Sequence, residues 1–434
     1  MIETPQRGKL GILVGGGPAP GINGVIHSVT IEAINNGLDV VGIYDGFEHL
    51  MAGRIVSKPL TIGDVSRIHL DGGSILRTSR ANPTGSDALL GNCVRALIDA
   101  GISSLVAIGG DDTAYSAYRV ARHAEEQAGV KIRTVHVPKT IDNDLPLPAE
   151  IRTFGYETAR ELGTRIVMNL MEEALTGRRW ILVVTMGRKA GHLALGIGKS
   201  SGATLTLIPE EWGDRQIRLQ EVVDILATSV IMRRATGKNY GVAIVAEGVL
   251  EQMAPEDLAG LEDAERDTYG HIQLSEINLS DILKKALRKE LLKLGIDLRL
   301  INKDLGFELR CADPIAFDID YTRTLGYGAV RFLLSQGPDG HTLSGGIVCL
   351  DDGRLRILPF DGIQDPETGR IRTRMVDVTS EHYKVAREYM IRLRRSDLQD
   401  ESLLSGLAGA AKMDVAEFVK RFGPAVESDS AEDA

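Results

Sequence analysis

The sequence predicts an α/β fold in two domains, and three observations point that way. Apolar runs of strand length alternate with stretches of helical pattern, and most of those runs end in glycine. The alternating series occurs twice within 434 residues, a length that suits two domains of ordinary size.

In chain order, Lys9–Val14 reads as a buried strand ending in Gly15-Gly16-Gly17, followed by a helix from Ile22 to Asn35. Asp39–Tyr44 is the next strand. Cys93–Ala100 reads as helix, Ser104–Ile108 as a strand stopping at Gly109-Gly110, Ala114–Ala128 as helix and Arg133–Val137 as strand. The second series places helix at Arg160–Leu175, strand at Trp180–Thr185, helix at Leu219–Arg233 and strand at Val242–Ala246. Glu251–Glu276 is acidic and mixed in pattern, and reads as an insertion. Asp281–Leu294 reads as an amphipathic helix with Ile282, Ala286 and Lys289 on different faces. The tail Glu427–Ala434 is acidic, contains serine and is expected to be disordered. No solenoid-period repeat or Pro/Ser-rich linker separates the halves. They are expected to pack together, with functional groups at the carboxyl ends of the strands.

Composition excludes several classes. Hydrophobic residues make up 43% and charged residues 25%, the balance of a soluble globular protein. No run approaches the roughly 18 apolar residues of a spanning helix, so no membrane role is expected. The N-terminal residues Met1–Lys9 lack an apolar signal core. Cys93, Cys311 and Cys349 are scattered and odd in number. They fit neither a disulfide framework nor a zinc site, so a reducing cytoplasm is the expected compartment and all three are read as small packed residues. A net charge of −10 argues against a nucleic-acid partner, and the basic run Arg392-Leu393-Arg394-Arg395 reads as the polar side of a helix.

Glycines placed directly after a strand let a phosphate reach backbone N–H groups. Gly15-Gly16-Gly17-Pro18-Ala19-Pro20-Gly21 and Gly109-Gly110-Asp111-Asp112-Thr113 are two such places. The first departs from the dinucleotide fingerprint at Pro20 and from the P-loop at Ile22, where lysine is required. Carboxylates follow two strands, Asp111 and Asp112 after one, Asp142 and Asp144 after the next. Beside phosphate loops, such groups suit Mg²⁺ bridging and proton abstraction from an attacking alcohol. Taken alone, each glycine loop is equally an ordinary turn, and Asp142-Asn143-Asp144 reads better as a polar turn.

The combined motifs decide between those readings. Gly109-Gly110-Asp111-Asp112-Thr113 and Pro138-Lys139-Thr140-Ile141-Asp142-Asn143-Asp144 are followed by Thr153-Phe154-Gly155-Tyr156-Glu157-Thr158-Ala159 and Met186-Gly187-Arg188. Ala246-Glu247-Gly248 and Leu305-Gly306-Phe307-Glu308-Leu309-Arg310 complete the series. Over roughly Lys9 to Leu393 the chain resembles the phosphofructokinase family. The resemblance implies two Rossmann-like three-layer α/β domains with an active-site cleft between them, 1–153 plus 311–374 for the phosphoryl donor and 154–310 plus 375–434 for the sugar phosphate.

It also implies roles residue by residue. Asp142 matches the base that takes the proton of the sugar's 1-hydroxyl, with Asp112, Lys139 and Arg188 beside it in catalysis. Asp111 matches the Mg²⁺ position, and Gly16, Gly17, Gly110 and Arg80 face the donor phosphates. Thr140, Ile141, Asp144, Met186, Gly187, Glu247, Phe307 and Arg310 match sugar-phosphate positions. Phe307 departs from the family, standing where relatives often have histidine or tyrosine. Arg299 is left unassigned, and His192 is read as structural. Arg179 resembles an arginine reaching a neighbouring subunit's sugar phosphate, which implies a homodimer or homotetramer with shared sites.

The donor reading rests on two positions. ATP-using members typically carry glycine where this chain has Asp112 and Lys139. A carboxylate at Asp112 would repel a nucleotide's α-phosphate, and Lys139 would stabilise diphosphate charge. Diphosphate is therefore the expected donor and fructose 6-phosphate the acceptor; ATP-dependent transfer is the alternative.

Overall fold

The computed structural model describes residues 8–148, 151–258, 278–335, 345–360 and 372–427. Most of the Glu251–Glu276 insertion, nearly all of the Glu427–Ala434 tail and residues 1–7 lie outside the described residues. The chain begins with β1 (Lys9–Val14), α1 (Ile22–Asn35), β2 (Asp39–Ile43), β3 (Ser57–Leu60), α2 (Asp87–Asp99) and β4 (Ile102–Gly109). Then come α3 (Asp111–Ala128), β5 (Arg133–Thr140), β6 (Phe154–Gly155) and α4 (Tyr156–Gly177). β7 (Trp180–Thr185), α5 (His192–Ser201), β8 (Leu205–Leu207), α6 (Leu219–Ala235), β9 (Gly241–Ala246), α7 (Leu279–Lys293) and β10 (Leu300–Leu305) follow. The chain continues through α8 (Ala316–Leu334), β11 (Gly345–Asp351) and β12 (Arg354–Pro359), and ends in α9 (Glu381–Glu388), α10 (Glu401–Ala410) and α11 (Val415–Glu427).

Two compact units result, Met1–Ala159 with Phe307–Arg374, and Arg160–Gly306 with Met375–Ala434. The first holds an eight-stranded sheet in the order β12-β11-β5-β4-β1-β2-β3, with β6 added to β5. Its central pairs are parallel, while β2–β3 and β11–β12 are antiparallel edges. Strands buried on both faces must be apolar throughout, which is why β1 and β4 read as continuous runs. On one face Val25, Ile26 and Val29 of α1 pack with Leu325, Ala329 and Leu333 of α8. On the other, Cys93, Val94 and Leu97 of α2 pack with Ala117, Val120 and Ala124 of α3. The second unit carries a four-stranded parallel sheet, β10-β7-β9-β8.

Several boundaries differ from the sequence reading for identifiable reasons. Phe154–Ala159 belongs to the first unit because Phe154 is fully buried in its core. The Asp318 carboxylate also accepts from Gly155 N–H (2.8 Å), Thr158 N–H (2.9 Å) and the Thr158 hydroxyl (2.5 Å). These bonds cap the start of α4 with a buried acid, although burial raises the Asp318 pKa overall. Phe307–Arg310 also falls in the first unit. α3 starts at Asp111 with Gly110 as its N-cap, three residues ahead of Ala114, because Asp111 and Asp112 suit a helix's positive end. In α7 the buried stripe is Leu279, Leu283, Leu287 and Leu291. Ile282, Ala286 and Lys289 therefore share a face at helical spacing instead of occupying different ones. Cys93 and Cys349 are buried, and burial pushes their thiols up to about 12 and about 11; Cys311 is exposed, contrary to expectation.

Candidate active site

In the first unit, three adjacent parallel strands, β1, β4 and β5, deliver their carboxyl-end loops side by side. Gly15–Gly17 follows β1, Gly109–Asp112 spans the end of β4 and the start of α3, and Ile141–Asp144 follows β5. Gly15 N–H donates to Ile108 O (2.8 Å) and Gly16 N–H to Ser79 O (2.8 Å). The Thr78 hydroxyl donates to Gly16 O (2.6 Å), which sets exposed Arg80 two residues beyond a direct attachment to the first loop. Thr113 fills the space between the loops. A β-carbon on Gly15 or on Gly109 would run into its side chain, so both positions require glycine for close approach.

Lys139 lies within β5, because that strand is extended by pairing Lys139 with Phe154 and Thr140 with Gly155. Its side chain is only 5% exposed and its Nζ donates to Gly17 O at 2.5 Å. Burial pushes its pKa down to about 8; Asp142 opposes that shift, Arg310 adds to it, and Asp144 and Asp111 oppose it. Lys139 is thus in electrostatic contact with four other predicted site residues. The Arg310 guanidinium occupies the space where a β-carbon of Gly17 would stand, and it stacks over the Phe307 ring at 5.6 Å from the centroid. Phe307 is 79% exposed, so the aromatic ring keeps a cation contact where histidine or tyrosine would also offer a polar atom. His136, also in β5 and fully buried, is pushed down to about 3 by that burial and stays neutral.

Asp142 and Asp144 are 8% and 9% exposed. Asp142 N–H donates to Thr140 Oγ1 (3.0 Å), and the Thr153 hydroxyl donates to Thr140 O (2.9 Å). Asn143 between the two aspartates has φ 57°, a left-handed conformation that asparagine tolerates better than most residues. The buried Ile141 completes this loop. Asp111 and Asp112 occupy the first turn of α3, with Asp112 exposed and not the N-cap.

The second unit repeats the principle on a smaller sheet. Met186-Gly187-Arg188 follows β7, and Glu247 follows the neighbouring β9. Arg188 N–H donates to Glu247 Oε1 (3.0 Å), and Arg188 itself has φ 50°. A β-carbon at Gly187 would lie 2.7 Å from Ala190 O, which keeps the turn tight. Arg179 stands apart from this group. It precedes β7, so the whole strand, on the order of 20 Å, separates it from Arg188. Its guanidinium pairs with Glu173 at 3.1 Å. Arg299 is at that same far end, its carbonyl accepting Trp180 N–H (3.0 Å). His192 begins α5 beside Gly191, whose N–H donates to buried Glu210 (2.9 Å).

Among the described residues, no helix is long and apolar enough to cross a membrane. None of them forms a group of three or more His, Cys, Asp or Glu able to hold a metal.

The phosphofructokinase family model matches residues 9–333. A pyrophosphate--fructose 6-phosphate 1-phosphotransferase of Thermotoga maritima is 54% identical, over 95% of this chain and 98% of its own length. One of Naegleria fowleri with the same name is 48% identical, over 97% of each chain. A pyrophosphate-dependent phosphofructokinase structure from Nitrosospira multiformis shares the fold, with a TM-score of 0.65 at 15% identity, over 88% of this chain and 91% of that one. Glycine loops after β1 and β4, acids after β5 and a match running nearly end to end converge on one conclusion: the chain belongs to the phosphofructokinase family.

Proposed function

We infer that this protein transfers a phosphoryl group from inorganic diphosphate to the 1-hydroxyl of fructose 6-phosphate, giving fructose 1,6-bisphosphate and phosphate. One observation carries the reading: a buried Lys139 ammonium at the Gly17 carbonyl, within electrostatic reach of Asp142. The names of the two relatives at 54% and 48% identity support the same donor and acceptor.

Asp142 takes the hydroxyl proton as the sugar oxygen attacks. The new P–O bond forms at the sugar while the bridging P–O bond of diphosphate breaks, and phosphate leaves. Lys139 and Arg188 offset charge on the transferring oxygens. N–H groups of Gly17 and Gly110 meet the donor with Arg80 beside them, while Gly16, whose own N–H is held by Ser79 O, leaves room for the donor to approach the loop. Asp112 disfavours a nucleotide's α-phosphate. Following the motif resemblance, Thr140, Ile141, Asp144, Met186, Gly187, Glu247, Phe307 and Arg310 are assigned to the sugar phosphate. Because the leaving group is phosphate, the step is close to balanced and runs in both directions.

Asp111 fits a role in holding Mg²⁺. A single carboxylate beside a phosphate loop suits an ion that binds through one or two carboxylates, substrate oxygens and water. When bound, the ion would neutralise charge on the diphosphate oxygens. Arg179, remote from Arg188 in its own chain, is assigned to a neighbouring subunit's sugar phosphate in a homodimer or homotetramer. The cytoplasm is the proposed compartment.

The test is Asp142→Asn, assayed with diphosphate and fructose 6-phosphate. Loss of the base should lower kcat by about 10²–10⁴-fold. Near-normal turnover would remove the proposed base and with it this mechanism.

A further inference from the structure

Asp142 sits in a loop that makes a left-handed turn at Asn143 and must hold a carboxylate against a reacting hydroxyl. One side chain from far along the sequence gathers that loop. Arg374 Nε donates to Asn143 O (3.1 Å), and Nη2 donates to the same carbonyl (2.9 Å) and to Asn143 Oδ1. Nη1 donates to Ile151 O (2.6 Å), with longer contacts to Pro148 O (3.3 Å) and Leu147 O (3.4 Å). The Arg374 backbone N–H donates to Asp144 O at 2.7 Å. Asn143 Oδ1 also accepts Thr153 N–H (3.1 Å), and Thr153 in turn holds Thr140, whose hydroxyl accepts Asp142 N–H. The network therefore reaches the backbone of Asp142 itself.

We propose that Arg374 is a positioning residue for Asp142, a guanidinium clamp that fixes the left-handed Asn143 turn and thereby aims the carboxylate at the acceptor hydroxyl. The inference rests on the reading of Asp142 as the base. Only a planar fork with five donors can serve these carbonyls and the amide oxygen together; a lysine ammonium has three donors and no fixed plane. Burial lowers the Arg374 pKa while Asp144 opposes the shift, which places this cation in the same electrostatic field as the acidic loop. Arg374 belongs to none of the motifs that mark the site. Apart from its bond to Asn143 Oδ1, it contributes through backbone carbonyls, which any residue could supply at the loop positions.

The experiment is a double-mutant cycle on the intact protein, with initial rates in diphosphate and fructose 6-phosphate and thermal unfolding measured on every variant. Arg374→Lys should lower kcat by about 10²-fold, the scale of an ångström of misplacement, while the KM for diphosphate stays within about twofold. In the Asp142→Asn background the same change should cost less than about threefold, since the group being aimed is gone. A folded Arg374→Lys protein with wild-type kcat overturns the clamp, as does an equal loss in both backgrounds. Asn143→Gly tolerates the left-handed backbone and removes the side-chain amide, whose Oδ1 accepts from Arg374 and Thr153 N–H. It should lower kcat with the same dependence on Asp142, and it decides the matter if neither Arg374→Lys nor Arg374→Ala folds. Near-normal turnover by Asp142→Asn alone would refute the base assignment. Full activity in Arg374→Lys while Asp142→Asn is inactive would refute only the clamp.

Discussion

Replacing Asp112 by glycine should open the donor site to ATP, and the size of the effect follows from where the side chain sits. Asp112 is the second residue of α3, exposed at the helix's positive end, with Asp111 before it and the Gly109–Gly110 turn ahead. A carboxylate about 4 Å from an α-phosphate charge would cost about 4 kcal/mol at an effective dielectric of 20, and about 1 kcal/mol in bulk water. Exposure keeps the true value between those limits, so ATP binding should tighten by between about fivefold and about a thousandfold. The helix should survive, because Asp111 still faces the dipole and the exchange for glycine costs only about 1 kcal/mol of helix stability. Isothermal titration with ATP, in parallel for the wild type, Asp112→Gly and Asp112→Gly with Lys139→Gly, reads the change directly. The double variant should show the larger gain in ATP use and a loss of diphosphate turnover. Unchanged ATP affinity in both variants, with the fold intact, would refute the exclusion argument.

The Lys139 ammonium, pushed down to about 8, loses its charge in the folded protein as pH rises through that value, so kcat/KM for diphosphate should fall above about pH 8. Lys139→Arg should carry the alkaline limb higher, as seen in a pH–rate profile. In stability the sign is opposite. Between pH 8 and the ordinary 10.5 the unfolded chain holds the extra proton, so Tm should gain from this group as pH rises, and Lys139→Met should remove that contribution. Gly109→Ala sets a β-carbon against the Thr113 side chain and should destabilise the first unit by about 1–3 kcal/mol, read as a lower denaturation midpoint. If Arg179 serves a neighbouring subunit, inactive Arg179→Ala and Asp142→Asn proteins should regain activity when refolded together as hybrids; no recovery in verified hybrids would refute the sharing.

Much of both sheets was legible because their central strands are buried on both faces and glycine lies near their ends. β1 and β7 coincide with the expected runs Lys9–Val14 and Trp180–Thr185. β12, Arg354–Pro359, went unread because an edge strand with arginines at alternate positions carries little apolar signal. α8 was missed because its buried face includes Asp318, which caps α4 instead of packing as a hydrophobe. In the site, local motifs exposed the glycines and carboxylates, because these cluster in sequence where β1, β4 and β5 end. Lys139 was legible as a residue but not as a buried one, because its place inside β5 depends on pairing with Phe154. Arg374 left no local signal at all: it binds carbonyls contributed by a loop more than two hundred residues earlier. The proximity of Arg310 to Gly17 is likewise a tertiary fact, invisible in the spacing of Leu305–Arg310.

The most direct measurement is the initial rate of fructose 1,6-bisphosphate formation from fructose 6-phosphate with Mg²⁺, using diphosphate in one series and ATP in the other. The account predicts rapid, phosphate-reversible turnover with diphosphate and, with ATP, a kcat/KM lower by a factor between about fivefold and a thousandfold or more, as Asp112 and Lys139 require. Strong activity with ATP and none with diphosphate would contradict it.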